Sequence, residues 1–297
     1  MTAVEKEGTI VKALSGFYYV DTGDSLVNCR ARGKFRLDGT SPLVGDHVSV
    51  SAEANGSGVI RSILPRRNWF VRPAVANIEL MVMAAAAVNP VTDPFLIDRV
   101  SALAEYHSCD FLLCVNKTDL DRGDALFDIY QSAGIHVIRT SAVTGEGLDE
   151  LKTALKGKIS AFTGNSGVGK SSLINAMEPG MALQTGEVSE KLGRGKHTTR
   201  HVELFPLSFG GFIADTPGFG SFDVDQMESI RPKELPSCFP EFAPYADSCR
   251  FLDCAHRREP DCAVREAVEC GKLQRSRYES YLALWEDANK LHDWEVR

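Results

Sequence analysis

The stretch GNSGVGKS, residues 164–171, is the clearest indication of a fold in this sequence. It fits the pattern G-x-x-x-x-G-K-[ST], whose fixed positions are Gly164, Gly169, Lys170 and Ser171. The stretch lies between an apolar strand pattern and a helical pattern, which is the context that this motif requires. Its glycines let backbone N–H groups turn toward phosphate, and the following helix adds the positive end of its dipole. The stretch therefore predicts a phosphate-binding loop, with Lys170 on the β and γ phosphates of a nucleotide and Ser171 on Mg²⁺.

The sequence on both sides of this loop alternates apolar strand patterns with helical patterns. The strand patterns are IELMVMAAAAV, DFLLCVNK, HVIRTSA, KISAFTG, HVELFPL and FGGFIADTPG. Nearly continuous apolar strands are typical of a mostly parallel sheet that helices cover on both faces. The fold class predicted for the middle of the chain is therefore α/β.

NKTD, residues 116–119, follows one of these strands and resembles the guanine-reading motif of GTPases, whose aspartate accepts two hydrogen bonds from the base. Taken alone the motif is modest, because Asp119 could instead cap the N-terminus of the next helix. TSAVTGEG follows the next strand and contains a turn at Ser141 and Ala142. A backbone N–H of that turn could donate to guanine O6.

DTPG, residues 215–218, ends an apolar strand downstream of the phosphate loop. Asp215 could hold Mg²⁺ through a water molecule, and the Gly218 N–H could meet a γ-phosphate. The alternative is an ordinary turn, because Asp followed by Pro-Gly is common in turns.

The order of these motifs is unusual for a GTPase, because the base-reading motif precedes the phosphate loop. In a parallel sheet the carboxyl ends of the strands share one edge, where ligands bind. A site built there depends on spatial arrangement and not on chain order. A chain cut at a new point, with its old ends joined, would keep the same site. Four motifs at predicted strand ends therefore predict a circularly permuted GTPase domain.

The first 65 residues have a different pattern, in which short apolar runs such as FYYVDTGD and LVGDHVSVSAE alternate with turn residues. This pattern predicts a small all-β barrel of the OB-fold type. RARGKFR places basic side chains at every second position, and in a strand these would share one face: Arg30, Arg32, Lys34 and Arg36. Such a face suits RNA contact, and a solvated strand face explains it equally well.

The segment LPRRNWFVRP, residues 64–73, follows the predicted barrel and predicts a linker.

CRFLDCAHRREPDC, near the C-terminus, carries a C-x4-C-x-H-x5-C array. Three thiolates and one imidazole complete a tetrahedral Zn²⁺ shell and leave no position for water, so the array predicts one structural zinc ion. Its ligands would be Cys249, Cys254, His256 and Cys262. Scattered buried thiols are the weaker alternative, because the intervening sequence is charged and loop-like. The sequence after the array predicts a helical extension.

The predicted domains are therefore an RNA-binding OB-fold over residues 1–65, a permuted GTPase domain over residues 66–222 and a zinc-binding domain over residues 223–297. The formal net charge of −7 argues against a protein that coats nucleic acid by bulk positive charge, but allows a local basic patch. The N-terminus lacks a signal-peptide pattern and the longest apolar run is too short to cross a bilayer. We therefore expect a cytoplasmic protein with no membrane partner, in which eight cysteines fit metal binding better than disulfides.

The order NKTD, TSA, GNSGVGKS, HTTR, DTPG, with a β-rich segment before it and a Cys/His array after it, resembles the ribosome small subunit-dependent GTPase A family of bacterial ribosome biogenesis factors. The resemblance covers essentially the whole chain. It implies a GTPase that binds the small (30S) ribosomal subunit and its rRNA and couples GTP hydrolysis to late maturation of that subunit. We expect the protein to be a monomer. One alternative is a GTP-controlled RNA-binding scaffold that acts off the ribosome. Another is a P-loop ATPase or kinase with an accidental NKTD.

The resemblance also implies roles for individual residues. Guanine would be bound by Asn116, Lys117, Thr118 and Asp119, together with Ser141 and Ala142. The phosphates of GTP or GDP would be bound by Gly164, Asn165, Ser166, Gly167, Val168, Gly169, Lys170, Ser171 and Ser172. Thr199 of HTTR would join Ser171 and Asp215 on Mg²⁺, and Thr198 is the rival for that place.

The residue that positions the attacking water differs from the Ras-like pattern. In Ras-like enzymes a Gln follows the glycine of D-x-x-G, but here that position is Phe219. We therefore expect slow intrinsic turnover that the small subunit stimulates. His197, beside the two threonines, is the candidate catalytic residue, and a solvated loop histidine is the alternative.

Overall fold

The computed structural model describes residues 4–31, 35, 41–53, 56–71, 73–181, 202–215 and 230–290, with Asp215 described by its backbone alone. The first strands are β1 Val4–Leu14, β2 Phe17–Asp21, β3 Leu26–Ala31, β4 His47–Ala52 and β5 Ser57–Ile63. β1 pairs with both β2 and β4, and β5 joins β3 to β4, so the strands close into a barrel. Its core includes Ile10, Val20, Val48 and Ile60, each with no exposed surface. The predicted barrel is confirmed.

One feature of the predicted barrel is wrong. Strand β3 ends at Ala31, and Phe35 has a helical backbone and is only 7% exposed. The predicted strand through RARGKFR is broken at Phe35, because a helical backbone cannot continue an extended strand, and the Phe35 side chain packs in the barrel core. The segment predicted as a linker is also folded. It contains β6 Trp69–Phe70, which pairs with β7 Val75–Ala76, and Arg66 donates two hydrogen bonds to the carboxylate of Asp46, at 2.7 and 2.8 Å.

The α/β part follows. Its strands are β8 Leu80–Ala86, β9 Asp110–Asn116, β10 His136–Arg139, β11 Ile159–Thr163, β12 Glu203–Pro206 and β13 Phe212–Asp215. Its helices are α1 Pro94–Tyr106, α2 Asp124–Ser132, α3 Leu148–Leu155 and α4 Lys170–Met177, followed by a 3₁₀ turn at Pro179–Met181. The strands lie in the order β10-β9-β8-β11-β13-β12, parallel except for β12.

Both faces of this sheet are covered by helices. Met81 and Met83 of β8 pack in the same cluster as α1 and α2, whereas Leu80 and Val82 pack with α3 and α4. Every residue of β8 is buried, which explains why its sequence is apolar without alternation. The α/β prediction is confirmed, and β8, β9 and β10 precede the phosphate-loop strand β11 in the chain.

The C-terminal part contains 3₁₀ turns at Leu235–Cys238 and Pro240–Phe242, and helices α5 Ala243–Ala246, α6 Ala263–Glu269 and α7 Arg275–Lys290. The predicted helical extension is thus two helices, separated at Gly271, whose φ of 70° is left-handed. Helix α7 packs on α1, where Arg277 donates to Asp98 at 2.7 Å. In the part of the chain that the structure describes, no helix has the length and apolarity that crossing a membrane requires.

Candidate nucleotide-binding site and metal centre

The phosphate loop joins β11 to α4, and two of its glycines are required by close contacts. Gly164 has a φ of 131°, and a Cβ there would lie 2.2 Å from the carbonyl oxygen of Ala84. Gly169 has a φ of 98°, and a Cβ there would lie 2.4 Å from the side-chain nitrogen of Asn116. Because these neighbours are backbone or buried groups, a larger residue would displace the loop.

Lys170 opens helix α4 and is only 5% exposed. Its ammonium group donates to the carbonyl oxygens of Gly164, at 2.6 Å, and Asn165, at 2.8 Å. Burial lowers the pKa of Lys170 to about 8, because desolvation penalises the charged form. The ammonium group of Lys170 is thus held against a loop whose backbone N–H groups can bind an anion.

The rest of the loop surrounds this cation. Val168 is buried, whereas Ser166 and Gly167 are exposed at the tip of the loop. Ser171 and Ser172 are half-buried in the first turn of α4. The structure thus brings Gly164 to Ser172 together as one loop at the N-terminus of a helix.

Asn116 joins the NKTD segment to the phosphate loop. Its side chain is 2% exposed and donates to the carbonyl oxygen of Val168 at 2.8 Å. Its side-chain oxygen accepts a hydrogen bond from Thr140 at 3.2 Å. These contacts make Asn116 a scaffold between two loops, while direct contact of this residue with guanine stays a prediction.

Asp119 is exposed, and Ser141 donates its hydroxyl to one oxygen of the Asp119 carboxylate at 2.6 Å. The alternative that Asp119 caps a helix is wrong, because α2 begins after Gly123. The NKTD and TSA segments therefore lie side by side. The backbone N–H of Ser141 donates to the backbone carbonyl oxygen of Glu146 at 3.1 Å, so the N–H of Ala142 is the better candidate donor to guanine O6.

The neighbouring residues of the NKTD segment also have defined contacts. Lys117 has a left-handed backbone, with a φ of 65°, and its ammonium group donates to the carbonyl oxygen of Asn89. Thr118 is 6% exposed and donates its hydroxyl to the carboxylate of Glu146 at 2.6 Å. Arg122 donates to the other oxygen of Glu146 at 2.8 Å.

Glu146 is a residue that the sequence interpretation missed, although it stands within TSAVTGEG. The hydrogen bond from Thr118, and to a smaller extent the one from Arg122, lowers the pKa of Glu146. Its carboxylate therefore bridges the NKTD segment and the loop that contains Ser141. The signal for this role was weak, because a glutamate in a loop is usually a solvated surface residue.

The carboxyl ends of β8, β9, β11 and β13 lie along one edge, since these strands are parallel. Asp215 ends β13 and its backbone pairs with Glu203 of β12. The side chain of Asp215 lies outside the described residues, as do His197, Thr198, Thr199 and Gly218.

Of the predicted RNA-contact residues, Arg30 is exposed and its guanidinium lies 4.7 Å from the ring centroid of Phe17. Arg32, Lys34 and Arg36 lie outside the described residues.

The four residues of the Cys/His array meet in space. Their candidate ligand atoms lie within 4.8 Å of one another. Nδ1 of His256 is 3.6 Å from the sulfur of Cys249 and 3.5 Å from that of Cys262, and these two sulfurs are 3.9 Å apart. A tetrahedral zinc ion with bonds of ~2.3 Å to sulfur and ~2.0 Å to nitrogen requires about 3.8 Å between sulfurs and about 3.5 Å between sulfur and nitrogen. The cluster could hold one metal ion.

Contacts with α7 and an acidic residue support this cluster. Tyr278 donates its hydroxyl to the carbonyl oxygen of His256 at 2.7 Å, and Tyr281 donates to that of Ala255. The Glu259 carboxylate accepts from the backbone N–H groups of Ala255, Arg257 and Arg258. Burial raises the pKa of the Cys254 thiol to about 12, so a bound cation would have to supply the charge that keeps a thiolate there at neutral pH.

The fold and the site define a class of protein, the circularly permuted GTPases. Two family models match the chain, that of the RsgA GTPase over residues 63–225 and that of the RsgA N-terminal domain over residues 7–60. The chain belongs to the RsgA GTPase family, and it is a GTPase.

Individual relatives agree with this assignment. A protein of Caldanaerobacter subterraneus subsp. tengcongensis, named small ribosomal subunit biogenesis GTPase RsgA, is 48% identical over 281 residues, which cover 94% of each chain. A protein of Moorella thermoacetica with the same name is 45% identical over 278 residues, covering 93% of this chain and 95% of that one.

Solved structures give the same result for the fold. The crystal structure of YjeQ from Thermotoga maritima is 36% identical and superposes with a TM-score of 0.82 over 97% of this chain and all of the other. The crystal structure of YloQ, described as a circularly permuted GTPase, is also 36% identical and has a TM-score of 0.79 over 96% of each chain. Both likenesses extend through the barrel, the permuted domain and the C-terminal part.

Proposed function

We propose that this GTPase binds the small ribosomal subunit and its rRNA, and couples GTP hydrolysis to late maturation of that subunit. The observation that carries the proposal is the hydrogen bond from Asn116 to Val168, which joins a guanine-type loop to a phosphate loop in a chain whose relatives are named for biogenesis of the small subunit. Action on that subunit implies the cytoplasm as the location, and we propose that the protein acts as a monomer.

The proposed nucleotide site has two halves. Asn116, Lys117, Thr118 and Asp119, with Ser141 and Ala142, form the guanine half. Residues 164–172 form the phosphate half. Mg²⁺ would be held by Ser171, Asp215 and Thr199, with Thr198 as the rival of Thr199. The contact between Ser141 and Asp119 supports the guanine half, because it fixes the carboxylate that would read the base.

The proposed metal ion is Zn²⁺ in a structural role. Sulfur-rich tetrahedral sets favour zinc, and four protein ligands leave no place for a reacting water. The proposed domains keep the boundaries 1–65, 66–222 and 223–297. In this arrangement the barrel contributes RNA contacts through the Arg30 region, and the zinc-binding domain closes the chain.

The proposed hydrolysis is slow in the free protein, since Phe219 has no polar group to position water. We assign the positioning of the attacking water to His197, because this residue stands next to the two threonines of HTTR. Binding of the small subunit would stimulate turnover by ordering the reacting groups. His197→Ala should bind GTP normally and lose most of the stimulated turnover, and full stimulated turnover in this variant would remove His197 from the mechanism.

The experiment that tests the proposed function is cosedimentation with ribosomal subunits. The protein is loaded with a nonhydrolysable GTP analogue or with GDP and mixed with purified small subunits, large subunits or free RNA. Binding to small subunits in the GTP-analogue state alone is the expected result. Equal binding to free RNA would favour a scaffold that acts off the ribosome, and binding to large subunits would contradict the proposal.

A further inference from the structure

The barrel and the GTPase sheet share one strand contact. Lys12 of β1 pairs with Glu203 of β12, and the ammonium group of Lys12 lies 2.7 Å from the carboxylate of Glu203. Glu203 also pairs, on its other side, with Asp215 of β13. Three residues from three strands therefore lie in one row across the sheet. One end of the row is in the barrel and the other is the proposed magnesium aspartate.

The local structure of β1 serves this contact. The register between β1 and β2 shifts between Ile10 and Lys12, as happens at a β-bulge. A bulge bends its strand and changes the direction in which side chains point. Residues 4–9 of β1 pair with β4 to close the barrel, while Lys12 reaches out to β12. The same strand thus belongs to the barrel and to the sheet of the GTPase domain.

In the chain, β12 and β13 lie next to the segments that we assign to the nucleotide. β12 starts four residues after Thr199, and β13 ends at the first residue of DTPG. Both segments are the ones that we assign to Mg²⁺ and the γ-phosphate. A shift of β12 would therefore change the position of Lys12, because Lys12 pairs directly with Glu203 of β12.

We infer that Glu203 couples the nucleotide state to the barrel, by holding Lys12 of β1 in register with Asp215. Glu203 is a positioning residue in this scheme and touches neither substrate nor metal. The inference rests on the proposed nucleotide site, and it gives the barrel a route by which bound RNA could influence hydrolysis.

The test measures hydrogen exchange in the intact protein, with GDP or a nonhydrolysable GTP analogue bound. Peptides from β1 should exchange at different rates in the two states, whereas peptides from β5, which does not pair with β12, serve as an internal reference. We expect a difference of at least about threefold in β1 of the wild type. Lys12→Glu or Glu203→Lys should abolish it, because like charges then face each other across the strands.

The control variants separate coupling from damage to the fold. Combining Lys12→Glu with Glu203→Lys restores opposite charges and should restore the response of β1. Lys6→Glu is the matched control, because Lys6 is also in β1 and its ion partner is Asp24 of the barrel. This variant should respond like the wild type.

Exchange of β1 that is equal in both nucleotide states of the wild type would overturn the inference, as would an unresponsive double variant. Hydrolysis measured with purified small subunits separates the two proposals. If β1 responds to nucleotide in the wild type and not in the two single variants, but small subunits fail to stimulate the wild type, the proposed function fails and the coupling through Glu203 stands.

Discussion

Lys170 lies with its ammonium group among carbonyl oxygens of the phosphate loop, where burial lowers its pKa from 10.5 to about 8. In the folded protein without nucleotide, Lys170 therefore loses its proton at a lower pH than in the unfolded chain. Between about pH 8 and 10.5 the unfolded chain binds more protons, so Lys170 makes the folded state more stable as the pH rises through that range. Nucleotide phosphates act in the opposite direction, because a nearby anion raises the pKa of an ammonium group.

Above about pH 8, we expect Lys170 to take up a proton when GDP binds. The affinity for GDP should then fall with rising pH, by up to about tenfold per pH unit. Calorimetry in two buffers with different ionisation enthalpies measures the proton uptake. Lys170→Met should bind GDP weakly and without this uptake, and a wild type whose affinity does not change between pH 7 and 9 would contradict the prediction.

The second prediction concerns Asp119, whose carboxylate already accepts the Ser141 hydroxyl at 2.6 Å. Asp119→Asn should replace the preference for guanine by one for xanthine, because the amide group offers a donor that suits a carbonyl of xanthine. Competition between GTP and XTP measures the change. Asp121→Asn is the matched control, since Asp121 lies in the same loop and accepts from the Gly123 N–H. Unchanged selectivity for GTP in the Asp119 variant would contradict the assignment of Asp119 to guanine binding.

At the scale of elements, the Cys/His array lies between α5 and α6, where the described backbone consists of turns and bends. A segment of this kind contributes few ladder hydrogen bonds, so its shape depends on side chains. Tyr278 and Tyr281 of α7 donate to two of its carbonyl oxygens, and the four candidate ligand atoms lie within 4.8 Å of one another. Metal binding and folding of this segment should therefore be linked.

Cys254→Ser should release the metal and make residues 230–290 sensitive to protease, while nucleotide binding persists because the α/β sheet has its own core. Metal content, limited proteolysis and GDP binding measure the three effects. Cys270→Ser is the control, since Cys270 is exposed and outside the cluster. Absence of stoichiometric zinc from wild-type protein purified without a chelator would refute the zinc assignment.

At the scale of the whole molecule, a buried ion cluster joins the C-terminal part to the α/β domain. Arg277 of α7 donates to Asp98 of α1 at 2.7 Å and also to Glu241, and its own side chain is 2% exposed. Hydrogen bonding to Glu241 and the charges of both carboxylates outweigh burial and raise the pKa of Arg277. Removal of the cation would leave two buried carboxylates without their partner. Such losses are expensive, whereas a surface ion pair contributes little.

Arg277→Met should therefore reduce the free energy of unfolding by about 3–5 kcal/mol and loosen α7 from α1. Urea unfolding, with proteolysis of residues 230–290 as a second measurement, detects the loss. Arg275→Met is the control, because Arg275 begins the same helix and is exposed. Equal unfolding midpoints for the two variants would show that the cluster does not hold the parts together.

Local patterns in the sequence were enough to predict the fold class, the permuted order and the two sets of candidate ligands. Apolar runs and helical spacing are local patterns, and GNSGVGKS and the Cys/His array are short enough to be recognised within one segment. Assembly of the motifs on one edge followed as well, because the carboxyl ends of parallel strands meet there. The same local logic failed at RARGKFR, where alternation indicated a strand, but β3 ends at Ala31 and Phe35 has a helical backbone.

Contacts between side chains that are far apart in the chain could not be predicted in this way, because they depend on tertiary packing. Lys12 and Glu203 are 191 positions apart in the chain, and Asp98 and Arg277 are 179 positions apart. No local pattern indicates such pairs, since each charged residue by itself fits a solvated surface. The contact of Asn116 with Val168 and the bridge made by Glu146 likewise depend on how separate loops pack. Packing decides these contacts, because a polar group that loses water on folding must find its partner in whichever element lies beside it.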